Sequence, residues 1–130
     1  MTSRPTLVIL TADKVPDPAD LAAIRELADV RIATADTLAE ALPGAEILLM
    51  WDFFSGALAP AWPAADSLRW IHAASAGVDK LLFDELRTAD VLLTNARGVY
   101  DGPIAEYVLA GVLAHDKRLH ESAELQRAGI

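Results

Sequence analysis

Short apolar runs alternate with amphipathic stretches along most of this chain. Leu7-Val8-Ile9-Leu10 is β-rich and is followed by turn-forming residues from Thr11 to Pro18. From Asp17 or Asp20 to Ala28, the positions Leu21, Ile24, Leu27 and Ala28 recur at helical spacing. Val30-Arg31-Ile32-Ala33 predicts a second strand, and Ala35 to Leu42 a second helix stopped by Pro43-Gly44. Ile47-Leu48-Leu49-Met50-Trp51 is a continuous apolar run, the pattern of a strand buried on both faces. Pro60 and Pro63 limit the next stretch to a short helix or loop. Leu68 to Ala73 reads as a fourth strand, Lys80 to Thr88 as a helix, and Val91 to Thr94 as a fifth strand. Strands and helices alternating at this tempo form βαβ units with right-handed crossovers, so ligands gather where the strands end. The expected architecture is α/β: a flavodoxin-like parallel five-stranded sheet flanked by helices.

The last segment breaks this rhythm. Gly102-Pro103 predicts a helix start with Glu106 in the first turn, where a carboxylate meets the positive helix end. From Ile104 to Ala114 the residues are apolar almost all round, including Tyr107, Val108, Leu109, Val112 and Leu113. A helix apolar on every side is normally buried on every side. From His115 the pattern turns polar, with Leu119 and Leu125 as sparse anchors and no stop signal beyond Gly129. This reads as a chain interrupted: residues 1–102 as a flavodoxin-like substrate-binding domain, residues 103–130 as an interdomain helix with a truncated C-terminal segment.

Composition narrows the functional classes. The 130 residues suffice for one domain with a real core, and 53% apolar with 23% charged residues is a globular balance. Eleven basic against nineteen acidic side chains give a net charge of −8, which disfavours nucleic acid and acidic membranes as partners. The apolar run Thr6 to Leu10 is too short for a signal or a membrane span, so a cytoplasmic location is the expectation. A mean hydropathy of +0.27 is high for an acidic domain and suits some apolar surface that expects a partner, although alanine richness alone also produces it. Without cysteine there is no disulfide or thiolate chemistry.

Two turns at strand ends carry candidate chemistry. Ser75-Ala76-Gly77-Val78-Asp79 follows the fourth strand, and successive free N–H groups there would form a concavity for a carboxylate or phosphate. An ordinary strand-to-helix turn is the plain alternative. Arg97 leaves the fifth strand, and its guanidinium matches a carboxylate, though a loop arginine is more often only solvated. Asp13 and Asp52 sit where a receiver-type signalling module keeps acidic residues, but Thr94-Asn95-Ala96-Arg97 offers no lysine after the fifth strand. His115 and His120 are five apart and off one helical face, His72 is a strand residue, and no metal site is expected. Neither Ser55 nor Ser75 lies in a nucleophile elbow.

Leu68-Arg69-Trp70-Ile71-His72, Ser75-Ala76-Gly77-Val78-Asp79, Val91-Leu92-Leu93-Thr94-Asn95, Gly98-Val99, Ala105-Glu106 and the apolar helix ending in Lys117-Arg118-Leu119 follow one another in order. This order resembles the D-isomer-specific 2-hydroxyacid dehydrogenase family, specifically over residues 68–119 and topologically before them. The resemblance implies the family's N-terminal substrate-binding domain, from an NAD(P)-dependent oxidoreductase interconverting D-2-hydroxy acids and 2-oxo acids. It implies that the backbone at Ala76, Gly77 and Val78 faces the substrate carboxylate, that Arg97 and the loop Trp51-Asp52-Phe53-Phe54 line the same cleft, and that Ile104 approaches the cofactor. Glu106 would brace its loop, and the helix from Pro103 would cross to a Rossmann domain missing from these residues.

The departures are equally specific. Glycines stand at 44, 56, 77, 98, 102, 111 and 129, and no two are spaced two apart, so the Gly-x-Gly-x-x-Gly turn is absent. The family's arginine, acidic residue and histidine of catalysis have no counterpart here, and the assigned catalytic set is empty. NAD or NADP therefore belongs to the complete enzyme, with none expected on this chain, which is expected to be inactive alone. The partners expected are a small 2-hydroxy or 2-oxo acid and a second copy of the chain, a homo-oligomer formed through the exposed helix 103–118. A stand-alone flavodoxin-like interaction or receiver module is the alternative.

Overall fold

The computed structural model describes residues 4–130. The chain forms two compact units, Met1–Arg97 and Gly98–Ile130.

The first unit contains the strands β1 (Thr6–Leu10), β2 (Asp29–Ala33), β3 (Ile47–Met50), β4 (Trp70–Ala73) and β5 (Leu92–Asn95). All neighbours pair in parallel in the order β2-β1-β3-β4-β5, the flavodoxin-like arrangement. Its helices are α1 (Pro18–Leu27), α2 (Leu38–Ala41), α3 (Leu58–Ala61), extended by a 3-10 turn at Trp62–Ala64, and α4 (Asp84–Thr88).

Local chemistry explains the boundaries. Asp17 caps α1 by accepting the Ala19 N–H at 2.8 Å, and Pro18 starts the helix where no N–H is needed. The helix expected from Ala35 begins only at Leu38, because Thr34 and Thr37 close a turn of their own: Thr34 N–H donates to Thr37 Oγ1 at 3.0 Å. The helix expected from Lys80 begins only at Asp84. Leu81 N–H bonds the Val78 carbonyl, the Leu81 side chain enters the core, and Phe83 meets Trp62 edge-on at 5.4 Å. These anchors hold residues 80–83 in a turn. Asp84 and Glu85 then supply negative charge to the first turn of α4. Gly44 adopts a φ of +70°, a conformation open to glycine, and its N–H is received by Asp66 Oδ1 at 2.8 Å. That bond to the Gly44 backbone holds the Asp66 carboxyl below its ordinary value.

The two faces of the sheet differ. On one, Val8, Leu10, Leu48, Met50, Ile71 and Ala73 are buried beneath side chains of α2, α3 and α4. On the other, α1 covers Leu7 and Ile9 through Leu21, Ile24 and Ala28, with Ile47 and Leu49 packed at the margin. Along the same registers, Ile47 pairs with Trp70 and Trp70 with Leu92. There the cover ends, and Leu92 is 61% exposed. The expectation that β3 is buried on both faces is therefore met fully on only one of them, the face of Leu48 and Met50. Ile47 and Leu49 are half-buried because a single helix serves that face. The polar atoms here satisfy one another: Thr94 Oγ1 accepts from Trp70 Nε1 and bonds His72 Nδ1, both at 2.8 Å.

The second unit holds α5 (Asp101–Asp116) and α6 (Leu119–Arg127). The expected start at Pro103 moves two residues earlier, which puts Asp101, not Glu106, in the first turn. Pro103 still loses no bond, since Ile104 N–H to the Tyr100 carbonyl is the helix's first. Arg118, at φ +51°, breaks the path before α6. Gly129, at φ +75°, closes α6, with Ile130 N–H reaching the Leu125 carbonyl at 3.0 Å, a Schellman stop built on the one glycine there. No residue of α5 is buried, and Tyr107 is 82% exposed.

The uneven sheet faces give a measurable contrast. Ile71→Ala should lower unfolding free energy by about 2–5 kcal/mol in urea denaturation, because it leaves a cavity in the closed layer. Leu92→Ala should change it by less than about 0.5 kcal/mol.

Candidate functional site

Because every strand runs in one direction, the residues after β3, β4 and β5 emerge on one edge of the first unit. Hydrogen bonds join these exits. Ala74 N–H donates to the Met50 carbonyl at 3.1 Å, and Ala96 N–H donates to the Ser75 carbonyl at 2.9 Å. Asn95 Nδ2 donates to the Ala76 carbonyl at 2.8 Å, tying the end of β5 to the turn after β4. Ser75 Oγ donates to the Gly77 carbonyl at 2.7 Å, closing the turn on itself.

These bonds occupy the carbonyls of Ser75, Ala76 and Gly77 and leave the amides free. Among the described residues, the N–H groups of Ala76, Gly77 and Val78 have no protein acceptor. Ala76 and Gly77 are exposed and Val78 is half-buried. A run of N–H groups with their carbonyls already engaged is a receptor for an anion. Gly77 is not at positive φ, and a Cβ there would meet only Asp79 Oδ2, at an ordinary 3.6 Å. The fold alone would accept alanine, so the bare backbone leaves space beside these amides that packing does not require.

The turn borders a groove of about 280 Å³ shared with Phe53 and Phe54 on the exit from β3. Trp51 and Asp52 both donate their N–H groups to the Leu10 carbonyl, at 3.0 and 2.9 Å, which turns the chain out of the sheet one residue before the strand end expected from sequence. Asp52 Oδ1 accepts the Phe54 N–H at 3.3 Å, so its carboxylate shapes the loop. Lys80 and Leu81 complete the far side.

Of the candidates named from sequence, Phe53, Gly77 and Val78 share this groove, and Ala76 lies in the same turn. Trp51 and Arg97 do not line it. Trp51 is exposed after β3, while Arg97 is exposed after β5 with its N–H on Asn95 Oδ1 at 3.3 Å. Ile104 lies in the second unit, exposed near the start of α5. Phe54, named with its loop from the resemblance, also lines the groove, and it meets Lys80, absent from the candidates, with Lys80 Nζ 5.0 Å from the ring centroid. Twenty-five intervening residues hid that pairing from a linear reading. His115 and His120, placed on different helices by the break at Arg118, share a depression with Arg118 and Glu121. Among the described residues no three potential ligands gather to hold a metal ion.

A flavodoxin-like parallel sheet whose strand ends carry a turn of unbonded amides defines the class of domain, and family comparison gives the lineage. The chain belongs to the D-isomer specific 2-hydroxyacid dehydrogenase family, whose catalytic-domain model matches residues 8–128. It is similar to the solved structure of a D-isomer specific 2-hydroxyacid dehydrogenase family protein from Aeromonas salmonicida subsp. salmonicida A449. The identity is 29% and the TM-score 0.65, over 98% of this chain and 41% of that one. A Pyrococcus horikoshii OT3 protein (18% identity, TM-score 0.61, 98% of this chain and 38% of that one) shares the fold. So does a D-isomer specific 2-hydroxyacid dehydrogenase family protein from Klebsiella pneumoniae 342, at 23% identity and TM-score 0.58 over 100% of this chain and 40% of that one. This chain thus spans about two-fifths of the length of the structures it matches. No curated protein gives a significant match.

Two substitutions separate the turn's structural role from its chemistry. Gly77→Ala should leave the thermal midpoint of the chain essentially unchanged, a stability shift within about 0.5 kcal/mol. Asn95→Ala removes the tie to Ala76 and should cost about 1 kcal/mol, measured in the same melts.

Proposed function

We propose that this chain is the substrate-binding part of an NAD(P)-dependent oxidoreductase that interconverts D-2-hydroxy acids and 2-oxo acids. The observation that carries this reading is the set of unengaged N–H groups at Ala76, Gly77 and Val78, in a chain whose family is established. A 2-oxo acid presents a planar carboxylate, which accepts two or more such donors at once. Arg97 and the Trp51–Phe53 segment would add to the same cleft in the complete enzyme.

The residues present do not fit the dinucleotide. The strand–turn–helix unit from β5 to α5 carries Gly98 and Gly102 four apart, and Asp101 puts a carboxylate in the first turn of α5. A pyrophosphate needs closely spaced glycines and an unopposed positive helix end, and the Asp101 charge repels it. The chain alone is therefore inactive in this reading. The hydride carrier would be held by another domain, with Ile104 at the approach to it, and residues 103–130 would form the interdomain segment.

The apolar surface of α5 would supply the contact with that domain and with a second copy of the chain. Ile104, Val108, Leu109, Val112 and Leu113 are all exposed on one short helix, an arrangement that water penalises. Among the described residues no helix is long and apolar enough to cross a membrane, and the net charge of −8 favours neither lipid nor nucleic acid. A cytoplasmic homo-oligomer acting on a small acid accommodates these features together.

Titrating the isotope-labelled chain with pyruvate should shift the amide resonances of Ala76, Gly77 and Val78 before any others. Gly77→Val should weaken that response about tenfold by crowding the approach to the amides. NAD added to the same sample should produce no saturable shift; micromolar NAD affinity in this chain would contradict the division of labour described here. Sedimentation should show self-association at high micromolar concentration that Val108→Glu with Val112→Glu abolishes. A strictly monomeric wild-type chain would remove the role given to α5.

A further inference from the structure

The groove beside the Ser75–Lys80 turn carries aromatic surface that carboxylate binding does not use. Phe53 and Phe54 follow β3 with ring centroids 4.6 Å apart at 47°. Phe54 is 69% exposed, so its ring contributes little to the fold. Lys80 Nζ lies 5.0 Å from its centroid, within the range where an ammonium is attracted to an aromatic face. Val78 and Leu81 add apolar side chains to the same groove. Its charged residues are Asp79 and Lys80, whose formal charges cancel, so a second anionic group on a ligand would gain little there.

We propose that Phe54, positioned by Lys80, is the specificity-determining side chain of this site, and that it selects 2-oxo acids bearing a sizeable apolar substituent such as a phenyl ring. The proposal rests on the carboxylate-binding reading above. With the carboxylate on the amides of Ala76–Val78, the substituent extends into the groove that Gly77 and Val78 share with Phe53 and Phe54. An aromatic substituent would bury its own surface and that of Phe54 together, and ring pairs add a geometric preference. A methyl group is too small to do this. A distal carboxylate would lose hydration against the rings without a net positive partner.

The test titrates the isotope-labelled 130-residue chain with pyruvate, phenylpyruvate and oxaloacetate, following amide shifts. Phenylpyruvate should bind about tenfold more tightly than pyruvate, the ratio expected from partial burial of a phenyl ring. It should also move the signals of Phe54 and Lys80, and oxaloacetate should not outdo pyruvate. Phe54→Ala should collapse the phenylpyruvate-to-pyruvate ratio to about one; because Phe54 is exposed, this variant keeps its fold. Lys80→Gln should lower the ratio, and Lys80→Arg should retain it, since a guanidinium also sits over an aromatic face.

Equal affinities for the three acids would overturn the proposal, as would a preference for oxaloacetate. So would phenylpyruvate shifts confined to the apolar groove at Trp70 and Leu92 on the uncovered sheet face. These outcomes leave the carboxylate site standing if pyruvate still moves Ala76–Val78. If pyruvate leaves those amides unmoved, the carboxylate reading fails and the specificity role of Phe54 fails with it.

Discussion

Parallel pairing of β3 with β4 and of β4 with β5 is the constraint on which the rest of this molecule depends. It aligns three chain exits on one edge, and backbone bonds between those exits set their spacing: Ala74 on Met50, Ala96 on Ser75. A turn stripped of such neighbours would use its amides to satisfy itself or water. Here Asn95 takes the Ala76 carbonyl and Ser75 takes the Gly77 carbonyl, so the polar character left over is almost purely donor. The anion recognition proposed for this turn would thus be a by-product of how the sheet satisfies its own acceptors. The specificity proposed for Phe54 depends on the same alignment, because it is the exit from β3 that delivers the aromatic pair beside the turn after β4.

The core explains why this edge is firm while other surfaces remain open. Leu48, Met50, Ile71 and Ala73 lie under three helices on one face and hold β3 and β4 from below the site. The opposite face has one helix, and Trp70 and Leu92 stay accessible. In the second unit α5 presents apolar side chains in all directions without burying one. The first unit therefore has its own hydrophobic core, whereas α5 has the composition of an element that becomes stable by being covered. This asymmetry accords with a chain that spans two-fifths of its structural relatives.

Much of the fold was legible in the linear pattern, for identifiable reasons. Strands in a parallel sheet are short and apolar, and here all five were readable from runs such as Leu7–Leu10 and Ile47–Met50. Helix starts were less legible. The Thr34–Thr37 turn and the burial of Leu81 shortened two helices that periodicity had extended, because side-chain bonds and core contacts override a weak local preference. The candidate site was partly legible for a similar reason. Gly77 and Val78 follow a strand directly and could be placed by position, but Trp51 and Arg97 leave their strands in directions that only neighbouring backbone determines. Phe54 could be placed with Phe53 in the loop that the resemblance sets along the cleft. Its partnership with Lys80 could not, since that contact joins two different loops.

The sequence by itself determined the alternation of strands and helices, the family, the want of a closely spaced glycine turn, and the all-round apolar character of the segment from Ile104 to Ala114. Each of these is a property of neighbouring residues, carried by composition and short-range spacing. Tertiary structure alone decided which amides remained unbonded, which sheet face stayed bare, and which aromatic ring came to lie beside the turn. Those outcomes depend on contacts between residues far apart in the chain, where the partner that satisfies or covers a group is chosen by strand order and register.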